Sequence, residues 1–371
     1  MKSTIIKVVS VITVVWGISI QSVHAQSIVY VKPGDRLGQI VSQAPANTTI
    51  IVAPGEYRDA LVVRSPGIRL IGAGAQENGT VLSNQGVNAT NGIEVRPGAH
   101  GFELSGFLIK GFNENGVLLT RVRDFRLTYN RLENNGEYGL FPIFCTGGVI
   151  SNNLVIGHTD TGIYVGQSSN VIVSHNVAHG NINGIEIENS DDCTVTENET
   201  YDNVIGILIV ELPLLQVTRT NRITVTKNYT HHNNNPGDHR ALELFIQVIP
   251  VGGGILLVGA NEVTIADNII LENNSFGIGI ARLPVLFDDF DPMIDHIPDN
   301  NRIVRNLALR NGRSPDAERL APLVPDFPTG ANIYWDGTGE GNCFEENVTE
   351  DDLGGTSYPG PKALPPCSRS R

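Results

Sequence analysis

The sequence predicts an all-β solenoid, a parallel β-helix, and three observations carry that prediction. A phrase Gly-Ile-x-Ile/Val, or a close variant, recurs at Gly92, Gly116, Gly139, Gly162, Gly184, Gly206, Gly254 and Gly277. Its first intervals are 24, 23, 23, 22 and 22 residues. A column of asparagines runs in step with it: Asn130, Asn153, Asn176, Asn198, Asn228, Asn268, Asn306 and Asn347. Three residues before each stands an apolar side chain, Leu127, Ile150, Val173, Val195, Val225, Ile265, Ile303 or Phe344. Within each unit apolar and polar residues alternate over four to six positions, which is strand periodicity, and no helical period runs through the region.

A period of 22 to 24 residues accommodates three short strands and their turns. One such coil cannot bury its own apolar face, so neighbours must stack, each about 4.8 Å above the last. Aligned asparagines can then hydrogen-bond to their copies above and below. The glycine column is expected to mark turn positions of unusual φ/ψ. A leucine-rich repeat has a similar period, but it needs a leucine frame and helical segments, whereas here β-branched residues dominate.

Taken in chain order, residues 1–25 read as a signal peptide. Lys2 and Lys7 give a basic start, Ile5 to Ile20 an apolar run, and Val23-His24-Ala25 a cleavage site before Gln26. Residues 26–371 then form a single exported domain with no later membrane span. Removal of the two lysines takes the formal net charge from −13 to −15. So acidic a protein does not hold nucleic acid or anionic lipid by general attraction. It would also repel a polyanionic glycan unless a cation or local arginines intervened.

About ten coils follow, ending in a degenerate copy of the phrase, Ala-Asn-Ile-Tyr-Trp at Ala331. Four insertions interrupt the later coils. Glu211–Thr220 and Arg282–Asn300 follow the Gly-Ile strand, and His231–Pro250 and Asn311–Thr329 precede it. Insertions in a solenoid gather on one face. The expectation is a groove floored by the outward residues of the Gly-Ile strands and walled by these loops. Their apolar content also fits cover for a hydrophobic surface or a partner contact.

In Gly-Ile-x-Ile the isoleucines point inward and x points out. The outward column reads Glu94, Leu118, Phe141, Tyr164, Glu186, Leu208, Leu256 and Gly279, with Glu188 two residues beyond Glu186. Tyr164 and Glu186 are the first catalytic candidates and Glu188 a substrate ligand: paired carboxylates serve as acid and base, and sugars stack on tyrosine. The segment Gly-Asp-His-Arg-Ala-Leu-Glu adds His239 and Arg240 as catalytic candidates, with Asp238 and Glu243 as substrate ligands. Uronate elimination or epimerisation needs a base for C5–H and a cation for the enolate. Asp288, Asp289 and Asp291, beside Asp295 and His296, offer oxygen ligands for calcium. His158, His175, His179, His231 and His232 are scattered through the turns; His231-His232 is a metal-type pair for which the sequence names no third ligand.

Cys193 occupies the slot of Phe125, Val171, Ile223 and Val263, so it points inward, and Cys145 lies too far from it to bridge. Cys343 and Cys367 bracket a Pro/Gly-rich tail and are expected to pair, stapling a cap (343–371) over the last coil.

The stretch Ile50 to Gly74, "IIVAPGEYRDALVVRSPGIRLIGAG", resembles the opening coils of secreted right-handed β-helix proteins. The rungs resemble those of the pectate-lyase-like superfamily, nearest to its β-helix repeat branch of periplasmic copper-site maturation proteins and alginate C5-epimerase relatives. The resemblance covers roughly residues 28 to 350. It implies a right-handed helix of three strands per coil. It also implies either a lyase or epimerase acting on a uronic-acid glycan, or a non-catalytic envelope protein that binds a glycan or a protein partner, including a metal-maturation role. The Asp-Pro-His-Asp motif of the alginate epimerases is absent.

Overall fold

The structure is a computed structural model and describes residues 27–237, 249–283, 295, 297–319, 330–349 and 364–368. It is a right-handed parallel β-helix of three sheets, with twelve, eleven and ten strands. One coil illustrates the rest. The strand Thr161–Gly166 lies in the ten-stranded sheet, Ser169–Ser174 in the twelve-stranded sheet and Val177–His179 in the eleven-stranded sheet. The chain then returns to the ten-stranded sheet as Asn183–Glu188, and Ile163 pairs with Ile185. We call these the third, first and second sheets, in the order in which the chain first enters them from Ser27.

Inward side chains stack in columns. Ile163, Ile185, Ile207, Ile255 and Ile278 lie above one another, as do Val165, Ile187, Ile209, Leu257 and Ile280, and all are fully buried. Burying each such side chain stabilises the fold by about 1.5–3 kcal/mol. The helix Leu37–Gln43 lays Leu37 and Val41 into the same core and packs on the strand Leu61–Val63. At the other end Cys343 and Cys367 form a disulfide, Leu364 packs on the core, and the Phe344 N–H donates to the Pro365 carbonyl at 2.8 Å.

The bends between the first and second sheets carry the asparagine column. The residue before each of these asparagines has a left-handed conformation without being glycine: Tyr129, Asn152, His175, Glu197, Lys227, Asp267, Arg305 and Glu346. Such a conformation costs an ordinary residue roughly 1–2 kcal/mol. The asparagines supply the offset. Asn176 Oδ1 accepts from the Asn153 N–H at 3.0 Å and from Asn153 Nδ2 at 2.9 Å. Its own Nδ2 donates to the Ile150 carbonyl at 2.9 Å and to Asn198 Oδ1 at 3.0 Å. The same four-way pattern climbs from Asn130 to Asn347.

A second ladder, not singled out in the sequence, runs through the bend from the second to the third sheet: Asn181, Asn203, Asn233, Asn273, Asn311 and Asn332. His158 fills a rung of it, its ring Nδ1 accepting from the Asn135 N–H and its backbone N–H donating to Asn181 Oδ1. Burial pushes the His158 imidazole down to about 4, so it is neutral.

The repeated glycines correct an expectation. Gly162, Gly184 and Gly206 are not turn residues with positive φ. A Cβ on Gly162 would lie 2.9 Å from the Gly184 carbonyl oxygen, and one on Gly184 would lie 2.6 Å from that of Gly206. The column is glycine because successive backbones approach too closely there for any side chain.

Replacing Asn176 by Ala orphans the Asn153 N–H and the Ile150 carbonyl. Each stranded buried group costs about 1–3 kcal/mol. We expect Asn176→Ala to destabilise the protein by at least ~2 kcal/mol in urea unfolding, whereas Asn152→Ala, at the exposed position before the preceding ladder residue Asn153, costs less. Equal losses in the two variants would refute the ladder's role.

Candidate functional site

The outward column of the third sheet stands in the predicted order. Leu118 pairs with Phe141, Tyr164 with Glu186, Glu186 with Leu208, Leu208 with Leu256, and Leu256 with Gly279. It is not an open groove floor. Tyr164 and Glu186 are each 6% exposed and Glu188 is 7% exposed. The expectation that these three face a substrate is corrected: strand alternation placed them on the outer face, but that face is itself covered.

Their arrangement has a local cause. Gly166 lies beside Tyr164, where any Cβ would collide with the tyrosine ring. The ring therefore lies over its own strand, and its hydroxyl donates to Glu188 Oε1 on the next coil. Glu186 Oε2 accepts from Thr161 Oγ1 at 2.6 Å and from Asn183 Nδ2 at 3.1 Å. Tyr138, Phe141 and Tyr164 form a ring cluster with centroids 4.5 to 5.1 Å apart. The Tyr138 hydroxyl hydrogen-bonds Asp160, which is also buried.

Three carboxyl groups thus share one nearly dry nest. Burial first, then the neighbouring Glu188 and Asp160 charges, raise Glu186 well above the usual carboxylate range. Burial and the same acids push both tyrosine hydroxyls up. Burial and the neighbouring acids favour the uncharged form of Glu186 in this nest, and Glu186, Glu188 and Asp160 are all buried.

Further along the same face the column turns apolar. Leu208, Val210, Val258 and Phe276 form a second hydrophobic cluster with Ile249 and Leu283, which lie in two of the insertions. The Glu211–Thr220 insertion is tied down at the sheet edge. Asn189 Nδ2 donates to the Leu212 and Val217 carbonyls, and Asn189 Oδ1 accepts from the Leu212 N–H at 2.7 Å. Gln167 Oε1 takes the N–H groups of Gln216 and Val217. Glu211, clasped by the N–H groups of Thr220 and Asp295, is pushed up to about 8, chiefly by burial.

The other candidates lie outside the described residues: Asp238, His239, Arg240 and Glu243, and the calcium candidates Asp288, Asp289 and Asp291. Among the described residues no three His, Cys, Asp or Glu side chains converge as a ready metal cage, and no helix is long and apolar enough to cross a membrane.

Sequence reasoning missed Tyr138, Asp160, Thr161 and Asn183, because contacts that join them into one nest, such as Thr161 to Glu186, Asn183 to Thr161 and Tyr138 to Tyr164, span 22 to 26 residues between coils. It also missed an outer-face stack on the second sheet. There His179, Tyr201 and His231 lie ring on ring, with centroids 4.6 and 5.4 Å apart. A signal existed: the three residues share one register column. An open depression of about 710 Å³ follows the asparagine bend, lined in part by Tyr129, Arg131, Leu154 and His175.

The raised Glu186 carries a linkage prediction. A carboxyl whose folded-state pKa exceeds its unfolded value of 4.5 contributes stability below that value and loses it as pH rises. Glu186→Gln keeps both hydrogen bonds to one side-chain oxygen and cannot ionise. Its stability relative to wild type should therefore improve between about pH 5 and pH 8, by up to about 1.4 kcal/mol per pH unit. Urea midpoints at both pH values decide it; a pH-independent difference would mean that the native carboxyl is ionised.

A family model described as periplasmic copper-binding protein (NosD) matches residues 42–243, more than half of the chain. Among solved structures, the A-module of mannuronan C-5 epimerase AlgE4 from Azotobacter vinelandii superposes with a TM-score of 0.59 at 16% identity, covering 87% of this chain and 91% of that one. The A-module of AlgE6 from the same organism gives 0.57 at 15% identity, covering 83% and 88%. A DFA-IIIase from Arthrobacter chlorophenolicus A6, without its lid and in complex with GF2, gives 0.57 at 14% identity, covering 90% and 93%. At such identities the likeness is one of fold. No curated protein matches. The coil pattern, the three sheets and the matched segment lead to one assignment: the chain belongs to the NosD family of periplasmic copper-binding proteins.

Proposed function

We propose that this chain is an exported, non-catalytic β-helix protein of the cell envelope that binds a metal ion, copper above others, and presents it to a protein partner. One observation carries the non-catalytic part. The acid and tyrosine column that would serve a glycan-processing site is buried and hydrogen-bonded to itself, Tyr164 to Glu188 and Glu186 to Thr161 and Asn183. An enzyme acting on a polymer needs its acid and base within reach of the bond that breaks. The family description supports the metal part. The basic, apolar and small-residue segments of residues 1–25 support export.

The donor set narrows the metal chemistry. Cys145 and Cys193 are buried, and burial pushes both thiols up to about 12, so neither offers a thiolate. Imidazole nitrogens are the remaining donors that suit copper.

The second reading is a carbohydrate-active protein, a lyase or epimerase on a uronic-acid glycan. What favours it is the Glu186 carboxyl beside Tyr164, raised by burial and by the neighbouring acids, since a strongly perturbed carboxyl is a common mark of catalytic sites. One experiment separates the two. The purified protein, with and without calcium, is incubated with a panel of polyuronates and neutral glycans. It is followed by ultraviolet absorbance for unsaturated ends and by NMR for epimerisation or hydrolysis. In parallel, metal is quantified in protein recovered from the periplasm. We expect no turnover and a stoichiometric metal ion. Turnover of any glycan would replace the first reading with the second.

A further inference from the structure

We propose that His231 and His232 form a bidentate copper site on the outer edge of the second sheet. The proposal rests on the metal-binding reading above for the choice of ion, and on local geometry for the place. His231 ends the strand Tyr229–His231 and His232 is the next residue. Adjacent residues in an extended strand point to opposite faces. Here His232 takes a left-handed conformation, φ 48°, one of the few that histidine adopts more readily than most side chains. The bend turns its ring back toward its neighbour, and the two Nδ1 atoms come to 3.0 Å from each other.

The other nitrogen of each ring is engaged. His231 Nε2 sits 3.2 Å from Glu199 Oε1, and His232 Nε2 contacts Glu272 Oε2. A carboxylate only accepts, so each Nε2 carries the proton and donates it. The two Nδ1 atoms lie within hydrogen-bond distance of each other, and a metal ion would take both nitrogens by displacing the proton between them. A metal-bound histidine that gives its second N–H to a carboxylate is the recurring pattern that fixes tautomer and raises basicity. Both histidines have it here.

The rings are held in advance. His231 is packed between Tyr229, with centroids 4.1 Å apart, and Tyr201, at 5.4 Å. The His232 backbone is pinned: its N–H donates to the Leu271 carbonyl, and its carbonyl accepts from Asp202 and Asn234. Arg310 holds the other oxygen of Glu272 at 2.6 Å. The choice of metal follows from spacing. Two nitrogens about 2.0–2.1 Å from one ion and 3.0 Å from each other subtend roughly a right angle. That suits the adjacent positions of a tetragonal copper(II) site better than a tetrahedral zinc site. Copper(II) also binds nitrogen ligands most tightly among the first-row divalent ions. His232 is half-exposed, which leaves the remaining positions open to water or to a ligand from a partner.

The test uses untagged full-length mature protein titrated with copper(II), followed by calorimetry and by electron paramagnetic resonance. We expect one ion bound, with hyperfine splitting from two nitrogens. His231→Phe keeps the ring stack and His232→Asn keeps a residue tolerant of the bend; each should weaken binding at least tenfold. Glu199→Ala and Glu272→Ala should weaken it tenfold to a hundredfold. His175→Ala removes a comparable exposed His–Glu pair that has no second ring, and should change nothing. Copper bound equally well by the His231→Phe/His232→Asn double variant would overturn this site and leave the copper-binding reading standing. Failure of the wild type to bind copper would overturn both. Tighter zinc than copper binding, lost in the double variant, would overturn the assignment of the ion.

Discussion

A coil of this helix can close only if the chain bends sharply between sheets, and the bend is the constraint on which the rest depends. It requires a left-handed residue in every coil, and it leaves buried backbone N–H and C=O groups that the strands cannot pair. An asparagine meets both needs at once, since one short side chain both accepts and donates. Because its partners are the same residue on adjacent coils, the solution works only when repeated. The coils before Phe107 manage with glycine: Gly106 has φ 76°, and the asparagine ladder begins where Asn130 Oδ1 accepts the Phe107 N–H. The three sheets, the aliphatic stacks and the close glycine contacts all sit on a rise per coil that these bends maintain.

That rise explains which parts of the molecule could be read from residues alone. The asparagine column was legible because a ladder demands identity at a fixed interval. The inward isoleucines were legible because strand alternation has a strict period. The glycine column was visible but its reason was not. A tight turn and a close backbone approach both select glycine, and only coordinates separate Gly162, held by contact with the next coil, from Gly106, held by its φ. His158 stayed hidden in the second ladder because a histidine breaks the pattern of letters while its Nδ1 keeps the pattern of hydrogen bonds.

The candidate site shows the limit of alternation as a guide. It assigns Tyr164, Glu186 and Glu188 to the outer face of a sheet, and they are there. It says nothing of what lies over that face. Apolar ends of insertions, Ile249 and Leu283, carry the outer surface of the third sheet into a second core. The reverse holds on the second sheet. There His179, Tyr201 and His231 stack along the outer surface and stay only partly buried. Their partners Glu199 and Glu272 stand 32 and 40 residues from the histidines they touch. No local motif encodes such a cluster; the coil pitch assembles it. The adjacent imidazoles of His231 and His232 belong to this surface, with their Nδ1 atoms 3.0 Å apart.

The left-handed residues at the asparagine bend have one more property. From Glu197 onward they alternate in charge: Glu197, Lys227, Asp267, Arg305, Glu346. His175 meets Glu197 at 3.0 Å and Arg305 meets Asp267 at 2.8 Å. A neighbouring bend repeats the rule with Asp192, Arg222 and Glu262. Each exposed pair is worth little, about 0–1 kcal/mol. Their pattern carries information that the interior lacks. One Ile-rich coil packs on any other almost equally well, so the core cannot tell the next coil from the one after it. The charges can. Nearest coils attract and second-nearest coils repel, so a coil skipped during winding sets like against like. The column acts as a parity check on the order in which the solenoid is wound.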